Sequence, residues 1–312
     1  MQPTGLALSR RPPKDTRKFG NRCIDTRWKR LMALQISRNA DQGQEDGPAI
    51  DLSLASKAVA APSRSFSSCI SPASPVKDTL SARTYARLSH GLILGQITPG
   101  ERITLKAWAR RLGTSATPVR DALSRLTGAD ALRQSRQFGA VAPILNGSEL
   151  DELMQLRLAI EDLAFASAAP HYRLADCRRF KVLYADLCRV AEHDDPVRFA
   201  AAVWPLRVAI LGLARSSVVT MLVYRIWCRF GPTFTLVAAN IEQRRRISCL
   251  LGTLVTAIGN RDLEQARQAL ADEIVTGTAP SIEGSPFPPG YCGGATAAGS
   301  WAGAGGRRRS IS

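Results

Sequence analysis

Thr117, Arg120, Asp121 and Ser124 fall at i, i+3, i+4 and i+7, the spacing that lines four side chains along one face of a helix. Val119, Ala122, Leu123 and Leu126 occupy the opposite, apolar face, so the polar four are the ones left for solvent. An Arg with hydroxyls near a helix start has the chemistry of a reader of duplex nucleic acid. The guanidinium can fork onto guanine or phosphate, while the hydroxyls and the helix-start N–H groups bind phosphate oxygens. Arg120 is the foremost candidate. The competing reading is an ordinary three-helix unit in which Arg120 is solvated or paired internally.

A second pair stands out for the opposite reason. Arg157 and Glu161 lie one turn apart inside the apolar arc of Leu150, Leu153, Met154, Ile160 and Ala164, where an unpaired charge costs several kcal/mol. Two readings are open: a mutual i, i+4 pair that satisfies both groups, or an Arg157 that faces a cavity and takes an anionic ligand.

These residues need particular elements to hold them. Leu80 to Leu94 reads as a first helix. Leu105, Trp108 and Leu112 form the stripe of a short second one, which Gly113 can end in a left-handed conformation. Ser115 or Thr117 can then cap a third helix, with Pro118 suited to its first turn. Ala131 to Ser135 and Ala140 to Pro143 read as strands, which makes the unit a helix-turn-helix with a wing. Residues 148–278 are helical almost throughout, with breaks near Pro170, Asp194 to Pro196, Ser216, Gly231 to Pro232, and Asn260. Ser148, followed by Glu149, Asp151 and Glu152, reads as the capped start of this region.

The expected fold is mainly α: a winged helix-turn-helix over residues 79–143 and an all-α helical bundle for effector binding and dimerisation over 144–279. A basic arm (1–78) and a Gly/Ala-rich tail (280–312) have compositions that predict disorder. The chain of 312 residues has 42 basic and 26 acidic side chains, a formal charge of +16. The densest basic block is residues 81–146, where 10 basic side chains face 3 acidic ones. A small basic unit ahead of a near-neutral one is the distribution expected when one part meets a polyanion.

Other classes are disfavoured. The sequence has no H-E-x-x-H, G-x-S-x-G, P-loop or dinucleotide fingerprint, so no enzyme is expected. No stretch approaches the ~20 apolar residues of a membrane span, and the basic N-terminus lacks a signal-peptide apolar core. A cytoplasmic protein with no membrane partner is expected. The seven Cys (23, 69, 177, 188, 228, 249 and 292) form no C-x-x-C pair and read as free thiols, mostly small core residues.

The run P-G-E-R, then G-T-S-A-T-P-V-R-D-A-L (Gly113 to Leu123), with Gly139 at a wing turn, closely resembles the DNA-binding domain of GntR-family transcription regulators. The helical region resembles the effector domain of the FadR-like (FCD) subfamily. The resemblance implies a homodimeric regulator, by family expectation a repressor, that binds a palindromic operator in double-stranded DNA and answers to a small metabolite, often a carboxylate. It places DNA contacts on Lys106, Ser115, Thr117, Arg120 and Gly139. One is missing: Ala116 stands where the family usually has Arg. The family's E-G-L-V turn into the wing reads Ala129, Asp130, Ala131, Leu132, and without the Gly that turn is expected to be strained or differently shaped.

Many members of the subfamily also hold a divalent metal with one Asp and three His. Here those positions align with Val203, Arg207, Leu251 and Glu273, and the only His residues are 90, 171 and 193. No metal and no cofactor is expected. Arg207 and Glu273 both lie on inward stripes, so an Arg207 to Glu273 ion pair is expected where the metal would sit. It leaves either a carboxylate pocket formed by Arg157, Arg207 and Glu273 or a filled core without an effector. Pro205 predicts a helix that kinks or begins anew there. The alternative to the regulator is a nonspecific basic nucleic-acid-binding protein with a degenerate, effector-less helical domain.

Overall fold

The structure, a computed structural model, describes residues 79–136 and 139–278, all within one compact unit. The arm 1–78 and the tail 280–312 lie outside the described residues, and so do the disorder expectations attached to them. The fold is mainly α. α1 (Leu80–Ile93) precedes a short strand β1 (Arg102–Ile103), then α2 (Leu105–Leu112), α3 (Ala116–Gly128), β2 (Arg133–Ser135) and β3 (Gly139–Val141). The strands form an antiparallel sheet in the order β1-β3-β2, with Ile103 opposite Ala140 and Gln134 also opposite Ala140. β1 is too short to announce itself in sequence; it exists because β3 offers it a free edge.

Six helices follow: α4 (Gly147–Ala168), α5 (Leu174–Ala191), α6 (Pro196–Leu211), α7 (Ser217–Val237), α8 (Ile241–Gly259) and α9 (Leu263–Thr278). Three sequence expectations need correction. Asn146, not Ser148, caps α4: its side chain accepts from the Glu149 N–H while Glu149 reaches back to the Asn146 N–H, a reciprocal box that satisfies two free donors. α7 does not break at Gly231 to Pro232 but runs through both. α6 likewise continues through Pro205 without starting again. The two prolines survive in helix interiors because their surroundings are buried, so packing outweighs the local penalty of ~3 kcal/mol.

α7 is the element that holds the two parts of the unit together. Phe230, Phe234, Trp227 and Tyr224 along it are all buried. At Gly231 the backbone of α1 crosses so closely that a Cβ there would come within 3.0 Å of the Leu92 and Ile93 carbonyl oxygens. Arg244, itself buried, donates to the carbonyls of Ala191, Ala238 and Ala239 and so closes the C-terminal ends of α5 and α7.

Candidate nucleic-acid interface and buried ionic site

α2 and α3 form the helix-turn-helix, and their joint follows from local chemistry. Thr104 caps α2 by accepting from the Ala107 N–H. Gly113 ends it at φ 62°, ψ 41°, the left-handed conformation a side chain would oppose. α3 then starts after Ser115 in the N-cap position, although the Ser115 hydroxyl makes no capping bond. Pro118, Val119, Ala122, Leu123 and Leu126 are buried, and Arg125 lies 3.9 Å over the Tyr85 ring, tying α3 to α1.

Every sequence-predicted contact residue here is exposed: Lys106 on α2, Ser115 ahead of α3, Thr117 and Arg120 on its first turns, and Gly139 at the start of β3. Ser124 and Asp121 are exposed too, and Asp121 accepts from the Ser81 hydroxyl at 3.1 Å. Arg120 has no ion-pair partner among the described residues, so its guanidinium is available at the helix N-terminal end. The first turns of α3 also carry N–H groups with no intrahelical partner and the positive end of the helix dipole, which favour an anion. Gly139 has φ 92° and packs against the Ile103 carbonyl.

The turn out of α3 shows the strain its composition predicts. Asp130, in the position of the missing Gly, adopts φ 56°, a conformation that Asp tolerates better than most side chains. Its carbonyl is held from outside: Arg229 of α7 donates to Asp130 O at 2.7 Å and to Glu149 at 3.4 Å, and Arg133 of β2 pairs with the same Glu149. Nothing in the local sequence of α7 marks Arg229 for this role; only the fold brings residue 229 to residue 130.

Deep in the helical part, Arg157, Glu161, Arg207 and Glu273 meet in one ionic cluster. Arg157 Nε donates to Glu161 Oε1 at 2.8 Å, and Arg207 bridges Glu161 and Glu273. Trp227 Nε1 donates to Glu161 at 3.1 Å, and Arg157 Nη1 donates to the Thr278 hydroxyl at 3.1 Å. Both guanidiniums also lie over the Trp227 ring, at 4.7 and 4.9 Å. Burial by itself would raise the Glu161 carboxyl, but Arg157 and Arg207 reverse that and hold it below the usual carboxylate range. Arg207 is raised although burial opposes its charge, because Glu161 and Glu273 flank it.

Both ion pairs expected from sequence are therefore present, and Glu161 joins them into one cluster, which the sequence reading did not anticipate. It also missed Trp227 and Thr278. A buried indole N–H requires an acceptor, so Trp227 carried a weak signal; Thr278 carried none. Three atoms of the cluster, Arg157 Nη2, Arg207 Nε and Glu273 Oε1, are buried without a hydrogen-bond partner among the described residues.

The donor set does not fit the divalent metal of the FCD subfamily. The aligned positions supply two hydrocarbon side chains, a guanidinium and a single carboxylate, and that carboxylate is already engaged by Arg207. A permanent cation stands where a metal cation would be bound, and the two charges repel.

Comparison with known proteins agrees with this architecture. Residues 80–141 match the family described as bacterial regulatory proteins, gntR family, and residues 152–275 match the FCD domain. The HTH-type transcriptional regulator McbR of Escherichia coli (strain K12) is 28% identical over 187 residues, which is 59% of this chain and 85% of that protein. The solved structure of E. coli McbR/YncC superposes with a TM-score of 0.60 at 27% identity, covering 64% of this chain and 95% of that one. The structure of a putative transcriptional regulator GntR from Rhodococcus sp. RHA1 gives a TM-score of 0.54 at 18% identity over 64% of this chain and 95% of that one, a likeness of fold.

Proposed function

Because the chain belongs to the GntR family of bacterial regulatory proteins, with an FCD domain behind its winged helix, it is a DNA-binding transcription regulator, and we propose that it is a homodimeric repressor of a palindromic operator. The observation that carries this reading is the exposed face of α3, where Thr117 and Arg120 stand at a helix start with Ser115 ahead of them and Lys106 on the preceding helix. Two such faces related by a two-fold axis would read half-sites about one helical turn apart, about 34–36 Å. A second copy is supported by α4, whose Leu156 and Leu163 are each 52% exposed, with exposed Ala159 and Ala166 in the same row. An apolar helix row of this kind is self-complementary across a two-fold axis.

For the effector, the family's usual ligand class and the free Arg157 Nη2 and Arg207 Nε donors support a small carboxylate held at the buried cluster, with Glu273 reorienting as Arg207 turns to the ligand. A filled core without an effector has its own support: two guanidiniums and two carboxylates already balance there. Thermal unfolding with and without a panel of small carboxylates separates the two, since a ligand that binds only the folded state raises the midpoint.

The reading of DNA is tested by selecting genomic fragments with the purified chain and then competing them with random duplex. A regulator keeps its preference for one palindrome as salt rises, whereas a purely electrostatic binder keeps none. Arg120→Ala should weaken the selected site by about 1–3 kcal/mol while leaving binding to random duplex nearly unchanged. Equal affinity for all duplexes in the unaltered protein would overturn the proposal and leave the nonspecific alternative.

A further inference from the structure

The sequence leads to an expectation of mostly core cysteines, and two of the four described ones depart from it. Cys228 is buried and Cys177 half-buried, but Cys188 and Cys249 are exposed. They sit on neighbouring helices, α5 and α8, whose register is pinned at two places. At one end, Arg245 pairs with Glu192 at 2.7 Å and Arg244 donates to the Ala191 carbonyl at 3.1 Å. Further along, Gly252 lies directly under the Tyr184 hydroxyl, which a Cβ there would have to push aside. As residue number rises on α8 it falls on α5, so the pair is antiparallel.

Cys188 lies four residues before Glu192 and four after Tyr184. Cys249 lies four after Arg245 and three before Gly252. Each cysteine is therefore one helical turn from both contacts and shares their face of its helix. The two thiols stand at the same level of one seam, at its solvent-exposed rim. Helices packed 8–10 Å apart, with Cα atoms on cylinders of about 2.3 Å radius, bring directly facing Cα atoms to roughly 3.4–5.4 Å, and residues at the rim of the seam stand somewhat farther apart. A disulfide spans about 4.4–6.8 Å between Cα atoms. An independent sign of proximity comes from Tyr184: burial, the Cys188 thiol and the Cys249 thiol together push its phenol up to about 12, so both thiols act on one hydroxyl.

We propose that Cys188 and Cys249 form a dithiol modification site, exposed to solvent, that hydrogen peroxide converts into an intrachain disulfide joining α5 to α8. The thiolate of one cysteine attacks a peroxide oxygen; the S–O bond forms, the O–O bond breaks, and the departing hydroxide takes a proton and leaves as water. The second thiolate then attacks the sulfenic sulfur; the S–S bond forms, the S–O bond breaks, and a second water leaves. Two thiols are oxidised by two electrons in all, and one hydrogen peroxide is reduced. A thiol reductant reverses the step, as expected of a labile bond in a reducing compartment. The inference does not depend on how the chain reads DNA.

The test uses the full chain. After treatment with hydrogen peroxide and alkylation of the remaining thiols, digestion with trypsin should yield one cross-linked species made of residues 182–189 and 247–261, the peptides that carry Cys188 and Cys249. It should arise within a single chain, disappear on reduction, and be absent from both Cys188→Ser and Cys249→Ser. Both side chains are exposed, so the variants should retain the unfolding midpoint of the reduced wild type. Recovery of the two cysteines as separate peptides, alkylated or over-oxidised, while other cysteines of the chain become linked, would overturn the proposal. So would linkage of either one to Cys23, Cys69, Cys177 or Cys292 in its place.

Discussion

Replacing Arg207 by Met removes one guanidinium from between two carboxylates and tests whether the ionic cluster is a structural pin. The two carboxylates are affected differently. Glu161 keeps Arg157 at 2.8 Å and the Trp227 N–H at 3.1 Å, so it stays paired. Glu273 keeps nothing, because Arg207 is its one ion-pair partner among the described residues and its other oxygen is already without a hydrogen bond. A carboxylate with no exposed surface and no counter-charge is the costly half of a broken buried pair, about 3–5 kcal/mol. For a folded region of this size, each kcal/mol is about 2–4 °C, so the midpoint should fall by roughly 6–20 °C. Unfolding by heat and by urea, followed by tryptophan fluorescence, suits the measurement, since Trp227 and Trp204 lie 5.5 Å apart, tilted by 46°, beside the cluster. The double variant Arg207→Met, Glu273→Met removes the stranded charge along with its partner and should recover about 1–3 kcal/mol. A single variant that loses less than about 1 kcal/mol, or a double variant no more stable than the single, would refute the reasoning.

Further expectations concern the DNA-binding face and its attachment. Ala116→Arg restores a side chain the family usually has and should strengthen operator binding by about 1–3 kcal/mol, measured by titration at fixed salt. Gly231→Ala should cost at least about 1–3 kcal/mol in denaturant unfolding, because the new methyl meets the backbone of α1, while Gly128→Ala, with nothing within 4 Å, should be neutral or slightly stabilising. His90 on α1 is pushed down to about 4 by burial. Its neutral form is the folded one, so stability is full above pH 6.5 and declines as pH falls toward 4, by at most about 3 kcal/mol. Glu161, held low by two guanidiniums, loses stability in the same acid direction. Unfolding midpoints between pH 7 and 4 should therefore fall less in His90→Gln than in the wild type.

Two helices link the ionic cluster to the winged helix: α4, whose Glu149 pairs with Arg133 of β2, and α7. The segment between the winged helix and α4 is short and its Pro143 and Leu145 are buried, so it is not a free hinge. α7 carries Trp227 against the ionic cluster, Arg229 against Asp130, and Gly231 against α1 within five residues. A change in the cluster that shifts α7 along its axis must move the contact with α1 as well, because Gly231 leaves no slack there.

What the chain determined locally is the recognition unit. Capping residues, a left-handed Gly, and apolar spacing of three and four act over a single turn of helix, so α2 and α3, and the exposure of Lys106, Thr117 and Arg120, were legible before any fold was known. The inward placement of Arg157, Arg207 and Glu273 was legible for the same reason, since each lies on an apolar stripe. Tertiary structure decided the rest, because the deciding partners are distant in sequence. Helix α7 continues through Gly231 and Pro232 because α1 packs on it. Glu161 became the centre of a four-charge cluster because three helices converge on it. Two ordinary cysteines came to share one level of a helix seam because α5 and α8 run antiparallel in a register set by Arg245 and Gly252. Local propensity amounts to about 1 kcal/mol per residue, whereas burial and close packing of contacts far apart in the chain supply several at a time, and where the two disagree the larger prevails.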